Sequence, residues 1–180
     1  MSFSRPLPEP SSDARRIGVE IHRWIEETSR GLMGLADEES MDNPTPSADP
    51  KVVSALRESY VTMGYPERTI ARLDTGEPMA ELPFVLKLGP RLIRGRIDVV
   101  YETSDGGLDI TDFKTGARVD IPPIDQLLVY AGALAKMGVA ASGPITLTYA
   151  YLASGEKATR TVTTDEAIAA LAELASRLEA

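Results

Sequence analysis

Cysteine is absent from the 180 residues. Disulfides and cysteine-ligated metal clusters are thereby excluded, and a reducing, cytoplasmic setting is permitted and expected. No apolar run reaches the ~20 residues that a membrane-spanning helix requires, so no membrane partner is expected. The opening residues MSFSRPLPEP are polar and proline-rich, without the apolar stretch of a secretory signal. The phosphate-loop pattern G-x-x-x-x-G-K-[ST] is missing, so these residues hold no P-loop ATPase. Histidine occurs once, as His22. Basic residues are outnumbered, 19 Lys and Arg against 27 Asp and Glu, for a net charge of −8. Proteins that grip nucleic acid unaided usually carry a basic footprint, so strong independent binding of that kind is not expected.

What is present suits one globular domain with a sizeable core, since 43% of the residues are hydrophobic. Residues 1–11, with Pro6, Pro8 and Pro10, read as a flexible lead-in or linker, and 12–180 as a single domain. A helix is expected from Ser12 or Asp13 to about Gly31, with Ile17, Ile21, Trp24 and Ile25 as its buried stripe. His22 lies at the edge of that stripe, and Gly18, one turn earlier, leaves room beside the imidazole. Residues 34–50 read as an exposed acidic loop of disordered character. Asp49-Pro50 supplies an N-cap and a first-turn proline for a helix over 50–63 that buries Val52, Val53, Leu56, Tyr60 and Met63. A short helix is expected at 66–73.

Strands follow at 79–88, 92–101 and 108–114, joined by Gly89-Pro90 and the turn cluster 103–107 into a meander. A helix over 122–137 turns Leu127, Leu128, Tyr130, Ala131 and Leu134 inward. Strands at 145–152 and 158–163 precede a last helix whose start carries a capping box, Thr163 with Glu166. Its apolar face is Ile168, Leu171, Leu174, Ala175 and Leu178. This order predicts an α/β fold, a mixed central sheet flanked by helices. The link from 114 to 145 is a strand–helix–strand crossover, which predicts a parallel pair.

Two of those strands interrupt their apolar runs with carboxylates, Asp98 in one and Asp112 in the next. If Glu102 pairs with Leu108, Asp98 falls opposite Asp112 on the same face, with Cβ atoms about 5 Å apart. Lys114 shares that face, because strand side chains alternate with period two. Facing carboxylates repel unless something positive lies between them, so this is a candidate divalent-cation site with a cation at its rim. Arg94 and Arg96 share Asp98's face, placed either to meet phosphate or to pair with acids such as Glu81. Taken singly, each of these residues also has an ordinary reading: an aspartate on a solvent-facing strand, a surface lysine at a strand end, a surface histidine.

The combination of G-x-x-D (Gly95 to Asp98), D-F-K-T-G (Asp112 to Gly116) and Q-x-x-x-Y (Gln126 to Tyr130) resembles the RecB-like nucleases of the PD-(D/E)XK superfamily. Gly18-Val-Glu-Ile-His22 resembles the early histidine motif of that family. The resemblance spans about residues 17 to 155. It implies a restriction-endonuclease-like fold and a Mg²⁺- or Mn²⁺-dependent deoxyribonuclease, an exonuclease of DNA repair and recombination. His22 would then complete a metal shell with Asp98 and Asp112, and Glu81 would reach the ion or a bound water. Lys114 would act on the scissile phosphate. Gln126 and Tyr130, on one helix face, would contact phosphate or position Lys114, with Tyr130 as a core aromatic the alternative. Thr115-Gly116 would let DNA approach the backbone closely. The iron–sulfur cluster that some RecB-like nucleases carry is excluded for want of cysteine. RecB-like nucleases often form the C-terminal module of ATP-dependent helicase–nucleases. The implied partners are therefore DNA, weakly held, and a helicase module in the same chain or in a partner subunit. The acidic charge keeps a second reading open, a nuclease-like domain that guides DNA or assembles with a partner without cutting.

Overall fold

The computed structural model describes residues 12–31, 49–116 and 125–179. The lead-in 1–11 and nearly all of the expected loop 34–50 lie outside the described residues, as do positions 122–124 of the helix expected over 122–137. Nine elements follow in the order α1 (Ser12–Ser29), α2 (Pro50–Thr62), β1 (Ala80–Leu88), β2 (Arg91–Glu102), β3 (Leu108–Lys114), α3 (Asp125–Lys136), β4 (Ile145–Tyr151), β5 (Glu156–Val162) and α4 (Thr164–Glu179). The strands form one five-stranded sheet in sequence order. β3 and β4 run parallel and the other neighbours antiparallel, so the sheet is mixed.

Local chemistry explains most of the boundaries. Asp49 caps α2 by accepting from the Lys51 N–H at 3.0 Å, and Pro50 follows where a missing N–H costs nothing. At α4 the capping box forms in both directions: Thr163 N–H donates to Glu166 Oε2 at 2.7 Å and Glu166 N–H to Thr163 Oγ1 at 3.1 Å. Glu102 pairs with Leu108, the register from which an Asp98–Asp112 pair is expected, but the ladder stops at Val99–Thr111 and that pair does not form. The crossover through α3 delivers β4 parallel to β3, with Asp112 opposite Tyr149.

The expected helix at 66–73 does not form. This stretch instead extends the sheet's hydrogen bonding past the start of β1. Val100 N–H donates to Met79 O and Glu102 N–H to Thr69 O, both at 2.9 Å, while Ala71 N–H donates to Val100 O. Strand N–H groups need acceptors; Thr69 supplies one and Met79 another, and isolated bridges pair Ile70 with Tyr101 and Arg72 with Pro78.

Apolar packing lies on both faces of the sheet. On one, Ile21 and Ile25 of α1 and Val53, Leu56 and Tyr60 of α2 meet Val99, Tyr101 and Phe113. On the other, α3 and α4 cover Phe84, Leu86, Ile97, Val100, Ile110 and Leu147. Two expected core residues are out of place. Val52 is 40% exposed because the stripe of α2 runs through Val53, Leu56 and Tyr60; Ile168 is 42% exposed because that of α4 runs through Ala167 and Leu171. The side chain of Leu178 lies outside the described residues. α3 and α4 approach closely at Gly132, where a Cβ would fall 2.1 Å from Leu171 Cδ1.

Core membership switches sides at the start of β1 and within β2. Ala80 and Val99 belong with α1 and α2, whereas their strand neighbours Leu82 and Ile97 belong with α3 and α4. The residues at the switch are Glu81 and Asp98. Glu81 has φ of 50°, the one non-glycine residue with positive φ among the described residues. Strain at a carboxylate beside a charged cluster is a mark of a functional position.

Candidate metal centre and active site

Burial of Ile21 and Ile25 fixes α1 on the sheet, and the next position round the helix, His22, is thereby aimed at the ends of β1, β2 and β3. Its Nε2–H donates to the carbonyl of Phe113 at 3.0 Å. This bond sets the ring's orientation and leaves Nδ1 facing Asp98 Oδ2 at 3.4 Å and Glu81 Oε1 at 3.7 Å. The N–H of the same Phe113 donates to Asp98 Oδ2 at 2.8 Å. The β2–β3 ladder has its last pair at Val99–Thr111, and beyond it the Asp98 side chain takes over the bonding. One residue's backbone therefore positions both groups.

His22, Glu81 and Asp98 each bring a ligand atom to within 4.8 Å of the other two. The expected trio was His22, Asp98 and Asp112, with Glu81 as an addition. In the structure Glu81 is central, and Asp112 stands beside the cluster. Asp112 Oδ1 accepts from Gln126 Nε2 at 3.2 Å. Lys114 Nζ is 2.6 Å from Asp112 Oδ2 but out of hydrogen-bonding alignment, so this buried oxygen has a charge contact and no directed bond. Asp112 and Lys114 do share a face, as alternation predicts. Gln126 also bonds the Tyr130 hydroxyl, and Arg96 pairs with Glu81 at 3.3 Å.

The charges are unbalanced. Burial pushes the Asp112 carboxyl up, the Asp98 charge pushes it further, and Lys114 offsets only part, leaving it at about 6. Burial disfavours the His22 imidazolium, but hydrogen bonds and charge from Asp98 and Glu81 outweigh this and raise it to about 10. Burial acts against ionised Glu81 too, yet His22 and Arg96 hold it below the usual range. Burial lifts the Tyr130 hydroxyl to about 12.

These residues fit a divalent cation. Two carboxylates, Glu81 and Asp98, converge with one oriented imidazole nitrogen, the buried Asp112 carboxylate stands beside them, and hard oxygen donors suit Mg²⁺ or Mn²⁺. A ligating histidine normally donates its other N–H to a backbone carbonyl or carboxylate, as His22 does to Phe113.

Three contributors escaped the sequence reading. Tyr149 lies under Lys114, whose Nζ is 5.2 Å from the ring centroid, and its hydroxyl faces Gln126 Oε1 at 3.5 Å. Only the parallel register opposite Asp112 could have revealed it. Phe113 contributes backbone groups, which carry no sequence signal. Phe84 acts through Gly95: a Cβ at 95 would lie 2.6 Å from Phe84 Cζ. The G-x-x-D glycine thus makes room for a ring that packs edge-on against Tyr130, centroids 5.6 Å apart. Gly18, by contrast, has only Thr115 Oγ1 near its Cβ position, at 4.0 Å.

The profile of the PD-(D/E)XK nuclease superfamily matches residues 3–180. Among curated proteins none matches. Among solved structures, the Eubacterium rectale protein named "Putative exonuclease" superposes with a TM-score of 0.51 at 11% identity, over 96% of this chain and 68% of that one. SSO0001 aligns with a TM-score of 0.36 at 18% identity, over 92% and 71%.

Proposed function

The chain belongs to the PD-(D/E)XK nuclease superfamily, and from that premise we propose that it is a Mg²⁺- or Mn²⁺-dependent deoxyribonuclease, an exonuclease of the RecB-like branch. The observation that carries the reading is the His22–Glu81–Asp98 cluster set beside Asp112 and Lys114.

His22 Nδ1, Glu81, Asp98 and Asp112 would hold the ion. When bound, the cation would supply Lewis-acid chemistry, offsetting charge on the phosphodiester and lowering the pKa of a water. The chain's own residues do the rest. The Phe113 peptide holds His22 and Asp98 in place before any ligand arrives, so little reorganisation is needed in the reaction. Gln126 orients Asp112, and Tyr130 orients Gln126. Lys114 is 39% exposed and Asp112 is 5% exposed at the side chain. The ammonium can therefore leave Asp112 and turn to the scissile phosphate, where it offsets the charge that builds in the transition state.

The wider reading is a nuclease module of an ATP-dependent helicase–exonuclease in DNA repair and recombination. It draws support from the missing phosphate loop and the acidic net charge, which leave a motor and a firm DNA grip to be supplied by another module. The test uses purified protein with linear and covalently closed circular DNA. Linear DNA should be degraded with Mg²⁺ or Mn²⁺ and spared on chelation. Asp112→Ala and Lys114→Ala should each abolish cleavage. Cleavage by Asp112→Ala at the parent rate would place the activity elsewhere, and cutting of the closed circle would make it an endonuclease.

A further inference from the structure

Outward from the Glu81 and Asp98 positions, β1 and β2 continue as a hairpin whose charge differs from the rest of the chain. Residues 82–97 contain Lys87, Arg91, Arg94 and Arg96 and no acid, in a protein of net charge −8. Alternation divides the hairpin cleanly. Phe84, Leu86, Leu88 and Ile97 are buried in the core shared with α3 and α4. Pro83, Val85 and Lys87 on β1 and Leu92, Arg94 and Arg96 on β2 are exposed. The register pairs Pro83 with Arg96, Val85 with Arg94 and Lys87 with Leu92, so these six share one face. It is the α1 side of the sheet, where helix packing reaches only Ala80 and Val99 at the inner end. The outer part is uncovered, with Val85 64% and Leu92 58% exposed.

Cations recur along this face. Arg96, nearest the cluster, touches Glu81 at 3.3 Å. Arg94 is one step further out and Lys87 the next, at spacings of about 7 Å for every two residues of strand. Among the described residues, Arg96 alone of the four basic residues has a carboxylate partner.

We infer that this face of the β1–β2 hairpin is a track for the sugar-phosphate backbone of nucleic acid leading away from the scissile phosphate. The inference rests on the nuclease reading above and adds to it the surface that holds the substrate. Charge complementarity selects the occupant: a run of cations in which Arg96 alone has a carboxylate partner, starting at the His22–Glu81–Asp98 cluster, matches a polyanion that must reach that cluster. The face carries no aromatic side chain, so it offers no platform for stacking bases. Its contacts are to phosphates through Arg94, Arg96 and Lys87 and to sugars through Val85 and Leu92. Such contacts position nucleic acid without reading its sequence.

The test measures binding, which does not depend on cleavage. Labelled duplexes of unrelated sequence are titrated with the protein in a Lys114→Ala background, and the dependence of affinity on salt is followed between about 50 and 200 mM. Arg94→Glu and Lys87→Glu should each weaken binding about tenfold at the lower salt and reduce the salt slope by about 0.9, the effect of losing one phosphate contact. The loss should be the same for every sequence. Lys136→Glu, with the same change in net charge at the exposed end of α3, should leave the slope unchanged. Arg94→Gln, a milder change, should move affinity in the same direction by less. Equal losses in Arg94→Glu, Lys87→Glu and Lys136→Glu would overturn the track even in a protein that cleaves DNA. A wild type that cuts nothing with any divalent metal, yet binds through Arg94 and Lys87, would overturn the nuclease reading and support the track.

Discussion

At the scale of single residues, the site sets one unfavourable charge, on Asp112, beside favourable ones on His22 and Glu81. Asp112 ionises with difficulty because it is buried and faces Asp98. Its folded pKa of about 6 exceeds the ordinary carboxyl value of 3.8, so above about pH 6 the ionised carboxylate costs stability, and the cost fades as pH falls. Asp112→Asn should therefore abolish cleavage while raising the denaturation midpoint of metal-free protein at neutral pH, a trade of stability against activity. A fall in that midpoint would mean that the Lys114 contact outweighs the burial cost. For His22, burial is outweighed by the two carboxylates, and its folded pKa is raised from 6.5 to about 10. The stability it contributes is complete below about pH 6.5 and is lost as pH rises through about 10. Chelated protein should weaken across that window in urea titrations, and His22→Gln should flatten the profile. Backbone strain at Glu81 gives a separate test. Both Glu81→Ala and Glu81→Gly remove the carboxylate, but glycine tolerates φ of 50°, so the glycine variant should be more stable by about 1 kcal/mol.

At the scale of elements, glycines decide how closely neighbours approach. Gly95 accepts the Phe84 ring, which braces Tyr130 and, through it, Gln126 and Asp112. Gly95→Val should displace that ring and cost about 1–3 kcal/mol by overpacking, read by urea denaturation. Cleavage should fall further than metal affinity, since Tyr130 and Gln126 would shift and His22, Glu81 and Asp98 would not. Gly132→Ala tests packing against propensity. Alanine favours an isolated helix by about 1 kcal/mol, yet its Cβ would collide with Leu171, so the substitution should destabilise. Propensity saw none of this, just as it misread 66–73, where strand groups needing acceptors overrode a helical pattern.

At the scale of the whole molecule, charge governs how the domain meets DNA. Affinity for DNA comes largely from counterions released by Lys and Arg contacts, and this chain has 19 such residues against 27 acids. The isolated domain should bind duplex and single strands no tighter than about 10⁻⁴–10⁻⁶ M at physiological salt. A tethered helicase would replace the missing affinity with high effective concentration. Nanomolar binding by the domain alone would mean that it needs no such partner. Among the described residues no helix is long and apolar enough to cross a membrane.

The sequence by itself determined the order of elements apart from 66–73, the mixed sheet and the caps at Asp49 and Thr163. All of these depend on period, turn chemistry and neighbours within a few positions. Asp98, Asp112 and Lys114 stood out from the apolar alternation of their strands, and the resemblance to RecB-like nucleases added His22, Gln126 and Tyr130. What only the tertiary structure decided is how they meet. Glu81 moved to the centre because β1 and β2 exchange faces at Glu81 and Asp98, a reversal that alternation cannot foresee. Asp112 stepped aside because Lys114 and Gln126 engage its oxygens. Tyr149 entered through parallel pairing across 37 residues of chain, from Asp112. Contacts between distant segments depend on the summed packing of the whole chain, so no local pattern records them.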